Sequence, residues 1–377
     1  MNAQNIDNKP KVTKESKNKI RVEFERTPLK ERLKAKFLSL FFLKKVVWYI
    51  FRLVLLVGIA YIVLFPFFSK IAGSFMAPDD FIDATVRLIP RNFTLDTYKT
   101  IWIEQQYLKA FVSTLLLSAS TALVQTFICC LVAYGLAKFK FKGNKLIFMA
   151  VIFSLVIPHQ TLQLSLFMNF RYFDILGIGN LLNGGGITIF GHNFNNAFLS
   201  SIDIIPDTFQ RFPDGAAGMS LSNTYWPLII LSFCGLAFKN GLYIFMLRQF
   251  FRGVPDELEE SAYIDGSGVM HTFFTIILPL SVPMMITVFL FAFSWQWTDD
   301  FYTGLFFTDT SEIILMPKIV GIPTSLTTDD SFPAQSLYYS AIRNTCGIMI
   351  ILPLLVMYLF CQRYLVQGIE RSGLTAD

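Results

Sequence analysis

The chain has 377 residues, 53% hydrophobic and 16% charged, with 40 phenylalanines and a net charge of +5. Too few polar residues remain to cover a soluble surface, so the composition excludes an ordinary soluble globule and indicates an integral membrane protein. Five cysteines (Cys129, Cys130, Cys234, Cys346, Cys361) and three histidines are scattered without metal-ligand spacing, so no metal centre is expected, and the basic balance is read as a membrane feature rather than a nucleic-acid surface.

Residues 1–45 form a polar, basic extension with 13 Lys and Arg. Its end places Leu29, Leu33, Phe37, Leu40 and Phe41 on one helical face among lysines, which predicts an amphipathic helix on an anionic leaflet. A basic tail that merely sets topology fits the same residues. The first apolar run continues to full spanning length, so it is expected to be an uncleaved anchor rather than a signal peptide.

A span needs about 20 apolar residues. Six stretches qualify: 46–68, 111–137, 146–168, 225–247, 274–297 and 346–366. With no water to satisfy the backbone, each is predicted to be helical, giving an all-α, six-helix polytopic protein. If both termini are cytoplasmic, the inner segments hold 21 Lys and Arg and the outer ones 9, in accord with the positive-inside rule. Residues 367–377 then form a cytoplasmic tail.

Within the third stretch, His159 follows Pro158; it suits either a proton relay or a partner for the freed backbone. The outer segment that follows is lengthened by an insertion at about 184–223, rich in Gly, Asn, Asp and Phe, which is either functional or a tolerated surface loop. Lys239 and Asn240 lie mid-sequence in the fourth stretch, nine and eight residues before Arg248. At 1.5 Å per residue this is ~13 Å from the inner end. A lysine there predicts a substrate path, with Tyr243, Trp295 and Trp297 supplying aromatic surface for sugar rings. Snorkelling and interfacial aromatic belts are the competing explanation.

Residues 254–283 carry the strongest local signal. Asp256, Glu257, Glu259 and Glu260 follow Pro255, as suits a helix N-terminus, and Gly266 permits a sharp turn before the fifth span. Glu260, Ser261, Ala262, Gly266, Ile276, Leu278 and Pro279 reproduce the spacing of the EAA loop, with Ser261 where alanine is usual. In this the chain resembles permease subunits of ABC importers, and Ile264-Asp265-Gly266 is similar to the carbohydrate branch that includes the maltose-type inner-membrane permeases. The resemblance extends over 46–366 through such runs as VIPHQ at 156–160, SWQWTDDFYTGLF at 294–306 and QRYLVQGI at 362–369.

The resemblance implies a type I importer permease fold in a bacterial cytoplasmic membrane. It further implies a partner ATPase dimer, a second related permease, an extracellular or periplasmic solute-binding protein and a carbohydrate substrate, most simply an oligosaccharide. Glu257, Glu260, Ser261, Ala262, Asp265 and Gly266 would couple to the ATPase, with Glu260 as anchor and Gly266 as hinge. Gly321, Pro323 and Thr324, in the outer loop after the fifth span, would meet the binding protein. The chain has no GxxxxGK[ST] phosphate loop, so no cofactor is expected on it, and ATP with its Mg²⁺ would sit on the partner. A glycerol phosphate ester or an acidic glycan is the alternative cargo, and Lys239 would suit either. An ion-driven secondary transporter is a further alternative, but the spans hold no clear carboxylate away from their ends.

Overall fold

The computed structural model describes residues 11–15, 19–23, 40–174, 187–189, 192–194, 210–211, 219–309, 312–329 and 331–371. The protein is mostly helical and divides into two compact units, Met1–Ser69 and Lys70–Asp377.

In the first unit, strands β1 (Lys11–Glu15) and β2 (Lys19–Glu23) pair antiparallel, with Thr13 opposite Arg21. The expected amphipathic face falls mostly outside the described residues. Leu40 instead opens α1 (Leu40–Gly73), a 34-residue helix that runs on past the unit boundary. Its apolar side chains, Leu53, Leu56 and Ile62 among them, are exposed, a surface suited to lipid.

The second unit begins with α2 (Asp96–Glu104) and α3 (Tyr107–Lys138). Helix α4 (Asn144–Val156) starts after Gly143, whose φ of +99° turns the chain sharply. It stops because Pro158 forces Ile157 into an extended conformation. The chain resumes at 95° to α4, through a tight turn into α5 (Gln163–Arg171). The fourth apolar stretch is also interrupted: α6 (Trp226–Phe233) and α7 (Asn240–Arg252) are separated by a break in which Gly235 and Lys239 have φ of +72° and +65°.

A short helix, α8 (Glu257–Ile264), leads into α9 (Val269–Trp297), which contains one wide turn at Phe273–Ile277. Helices α10 (Phe301–Phe306) and α11 (Gln335–Arg371) complete the chain. In and around the insertion, β3 (Ile187–Ile189) pairs with β4 (His192–Phe194), and β5 (Gln210–Arg211) with β6 (Met219–Ser220); the rest of 184–223 lies mainly outside the described residues.

Among the described residues, α1, α3, α9 and α11 are long and apolar enough to cross a membrane, and α4 with its continuation qualifies as a bent pair. The third and fourth stretches, each expected as one helical span, are therefore both interrupted. Pro158 causes the first interruption, and the left-handed residues Gly235 and Lys239 mark the second.

Helix α3 forms the centre of the larger unit. Its small residues Ala122, Cys129 and Ala133 pack with Tyr243, Leu247 and Phe251 of α7 and with Met284 and Val288 of α9. Small side chains let helices approach closely where lipid offers no hydrophobic contrast. Gly241 takes this furthest: a Cβ there would lie 2.8 Å from the Val151 carbonyl oxygen of α4. Cys129, Cys130 and Cys346 are buried free thiols that serve as packing residues. A second cluster gathers Leu117, Phe170, Leu221, Tyr302 and Phe306 around α5 and α10.

Candidate functional site

Helix α8 is made by its ends. Pro255 precedes it, and Glu257, Glu259 and Glu260 occupy its first turn, where the exposed amide groups favour negative charge. At the other end Gly266 adopts φ +83°, its amide donates to the Tyr263 carbonyl at 3.0 Å, and the Ser267 amide donates to the Ala262 carbonyl at 2.9 Å. This pair of bonds is a Schellman termination, which needs a left-handed residue at Gly266. Nothing lies within 4 Å of a Cβ built there, so the glycine serves backbone conformation rather than close packing.

Two faces result. Glu259 and Ala262 are buried, while Glu257, Leu258, Glu260, Ser261, Tyr263, Ile264 and Asp265 are exposed. Ile264 is 86% exposed, although it ends a helix of otherwise mixed character. Sequence reasoning used Ile264 only within the Ile264-Asp265-Gly266 resemblance and gave Ile264, Leu258 and Tyr263 no contact role; an apolar residue directly before the Asp-Gly terminus was the signal available. Ser261, Ala262, Asp265, Gly266, His271 and Thr275 line an open cleft between α8 and the start of α9.

The buried face is tied to α3. Lys138, in the last turn of α3, has its side chain 6% exposed; its Nζ donates to the Val254 carbonyl at 2.7 Å and to Asp256 Oδ1 at 2.6 Å, and lies 3.9 Å from Glu259 Oε1. The Lys138 hydrogen bond and charge hold the Asp256 carboxyl below its ordinary range. Burial pushes the Glu259 carboxyl up, against the pull of Lys138. Asp256 and Glu259 are thus committed within the chain, and Glu257 and Glu260 remain available to a partner.

The second candidate region is the break between α6 and α7. Gln125 of α3 donates from Nε2 to the Phe238 carbonyl at 2.8 Å and also to Asn240 Oδ1. Asn240 is therefore a buried support for the break. Lys239 is half-buried, its Nζ 4.7 Å from the Phe238 ring centre and 5.1 Å from that of Trp295. His159, at the other interrupted helix, stacks obliquely on Phe238 at 4.7 Å, and its Nδ1 lies 2.9 Å from the Tyr302 hydroxyl.

The other predicted aromatic residues are elsewhere. Tyr243 is fully buried, and Trp297 is 1% exposed with Nε1 donating to the Ile350 carbonyl at 2.9 Å. The structure brings Trp295 to Lys239 and assigns Tyr243 and Trp297 to the core, where no ring face is left for a sugar.

In the loop before α11, Pro323 is buried, Gly321 is half-buried and Thr324 is exposed. Thr324 Oγ1 donates to Glu104 Oε2 at 3.1 Å, and the Ser325 hydroxyl also donates to the Glu104 carboxylate. These bonds lower the Glu104 pKa, the Ser325 hydroxyl most of all, and pin the loop to α2. Of the three residues expected to meet a partner, Thr324 offers the open side chain.

Residues 125–371 match the family model described as "Binding-protein-dependent transport system inner membrane component". The chain is 27% identical over 315 residues to Protein LplC of Bacillus subtilis, covering 82% of this chain and 89% of that one. It is 24% identical to the polygalacturonan/rhamnogalacturonan transport system permease protein YtcP of the same organism, over 82% of this chain and 91% of that one. Its fold resembles a chain of a bacterial ABC transporter involved in the import of the acidic polysaccharide alginate, with a TM-score of 0.60, 16% identity and coverage of 85% and 97% of the two chains. The matched segment runs from the middle of α3 through α11 and contains both candidate regions, so the chain belongs to the family of binding-protein-dependent transport system inner membrane components.

Proposed function

We propose that this chain is one permease subunit of an ATP-driven importer for carbohydrate, specifically an oligosaccharide, and that α8 is its coupling element. In this reading the chain crosses six times, the interrupted third and fourth stretches included, with both termini cytoplasmic, so that α8 lies on the side where ATP is available. The observation that carries this reading is the division of α8: one face is fastened to α3 through Lys138, and the other presents Glu257, Glu260 and Ile264 outward. A rigidly attached element with an exposed acidic and apolar face passes the motion of a docked subunit into the spans, whereas a loose loop would dissipate it.

In this scheme ATP and Mg²⁺ bind a partner ATPase dimer. A second, related permease completes the pathway, and an external solute-binding protein delivers cargo near Thr324. The polygalacturonan/rhamnogalacturonan permease among the relatives supports carbohydrate as the cargo class. The partners' motion shifts the population between outward- and inward-open states, which requires each partner to bind the two states with different affinity.

A photo-crosslinking residue at Ile264 tests the assignment in intact membranes. The expected adduct is with a protein carrying a phosphate-binding loop and diminishes when ATP hydrolysis is trapped in a different state. An adduct pattern without any nucleotide-binding subunit would overturn the coupling role of α8.

A further inference from the structure

We propose that Lys239 is the counter-charge for a carboxylate on the cargo, so that the oligosaccharide carried is an acidic one, built at least partly of uronate residues. This rests on the carbohydrate-import reading above and narrows it.

Lys239 lies at the start of the 13-residue α7, ~20 Å along the helix from its far end. A lysine at such depth is costly in a membrane unless it faces a cavity or a partner charge. Among the described residues it makes no ion pair. The carboxylate three residues before Tyr302, that of Asp299, is already engaged: its Oδ2 accepts from the amides of Tyr302 and Thr303, both at 3.0 Å.

The surroundings favour a sugar over a bare anion. Phe238 and Trp295 contact the ammonium with their rings and meet each other edge to face at 5.3 Å. Trp295 is 47% exposed, so one of its ring faces can take the C–H surface of a pyranose while the ammonium takes the carboxylate. His159, half-buried and held through Nδ1 by the buried Tyr302 hydroxyl, brings an imidazole edge beside Phe238.

Backbone geometry points to the same place. The third and fourth apolar stretches are both interrupted, and residues from both interruptions, His159 and Phe238-Lys239, meet here. Irregular backbone at membrane depth persists where it is covered by protein or lines a water-filled cavity. Gln125 covers the break from the α3 side, while Lys239 is half-buried and Trp295 beside it is exposed.

The test uses the complete transporter in proteoliposomes with its binding protein, supplied with trigalacturonate, neutral galactotriose or glycerol 3-phosphate. Wild-type transporter is expected to take up trigalacturonate in preference to galactotriose. Lys239→Gln should lower trigalacturonate uptake by roughly tenfold, as loss of a charge-assisted contact predicts, and Lys239→Arg should retain most of it. The arginine variant separates loss of charge from loss of fold. Trigalacturonate uptake unchanged in Lys239→Gln, or preferred uptake of galactotriose or of glycerol 3-phosphate, would overturn the assignment. Galactotriose uptake alone would leave the carbohydrate reading standing, whereas uptake of neither sugar would remove both.

Discussion

The Lys138 ammonium lies 2.6 Å from the Asp256 carboxylate, joining residues 118 positions apart and fixing the entry to α8 on the last turn of α3. The same ammonium donates to the Val254 carbonyl, so backbone and side chain are held by one buried cation. In Lys138→Met these bonds vanish and Glu259 stays buried without its counter-charge. The bond from the buried Lys138 ammonium to the Val254 carbonyl is charge-assisted, and its loss should increase local opening by roughly tenfold. Hydrogen exchange across 254–264 measures it; unchanged protection would show that α8 is held by other contacts.

Gly266 separates conformation from space. With φ at +83° and an empty surround, an added side chain meets a torsional obstacle and no clash. Gly266→Asn, which tolerates the left-handed region, should retain most transport, and Gly266→Val should lose it. Equal activity in the two variants would refute the need for a Schellman termination.

Gly241 makes the opposite prediction. Its Cβ would approach the Val151 carbonyl oxygen and the Leu155 and Ser154 side chains within 2.9 Å, so Gly241→Ala must push α4 and α7 apart. Overpacking of this kind costs about 1–3 kcal/mol. Thermal unfolding in detergent should show a lower midpoint for Gly241→Ala and a further fall for Gly241→Leu.

Glu259 gives α8 a pH dependence. Burial raises its carboxyl pKa in the folded protein above the unfolded value, so the folded state holds the proton more tightly. Stability of the α8 attachment therefore falls as pH rises through the window that begins at the unfolded pKa. Asp256 has the opposite sign: its lowered pKa contributes stability above its unfolded value, and that contribution is lost as pH falls through the folded one. Glu259→Gln should remove the first dependence and leave the second. Exchange rates for 256–264 measured from pH 4 to pH 8 resolve the two.

The sequence was most informative where signals are local. The proline and carboxylates before α8 and the glycine after it are read within ten residues, and Pro158 marks the end of α4 because it constrains its neighbour directly. The break at Lys239 contains no proline, and its left-handed backbone is set by packing against α3 through Gln125. Trp295 and Trp297 look alike in sequence, yet two positions on a helix differ by about 200°. One therefore faces Lys239 and the other the core. Lys138 reads as one of several basic residues after a span until the fold brings Val254, Asp256 and Glu259 to it.

The most direct test of coupling through α8 is ATP hydrolysis by the purified complex, recorded with and without binding protein and oligosaccharide together. The account predicts hydrolysis that rises on their joint addition and loses that rise in Glu260→Lys, with the complex still assembled. A folded preparation that associates with no ATPase, or a Glu260→Lys complex stimulated as strongly as wild type, would contradict it.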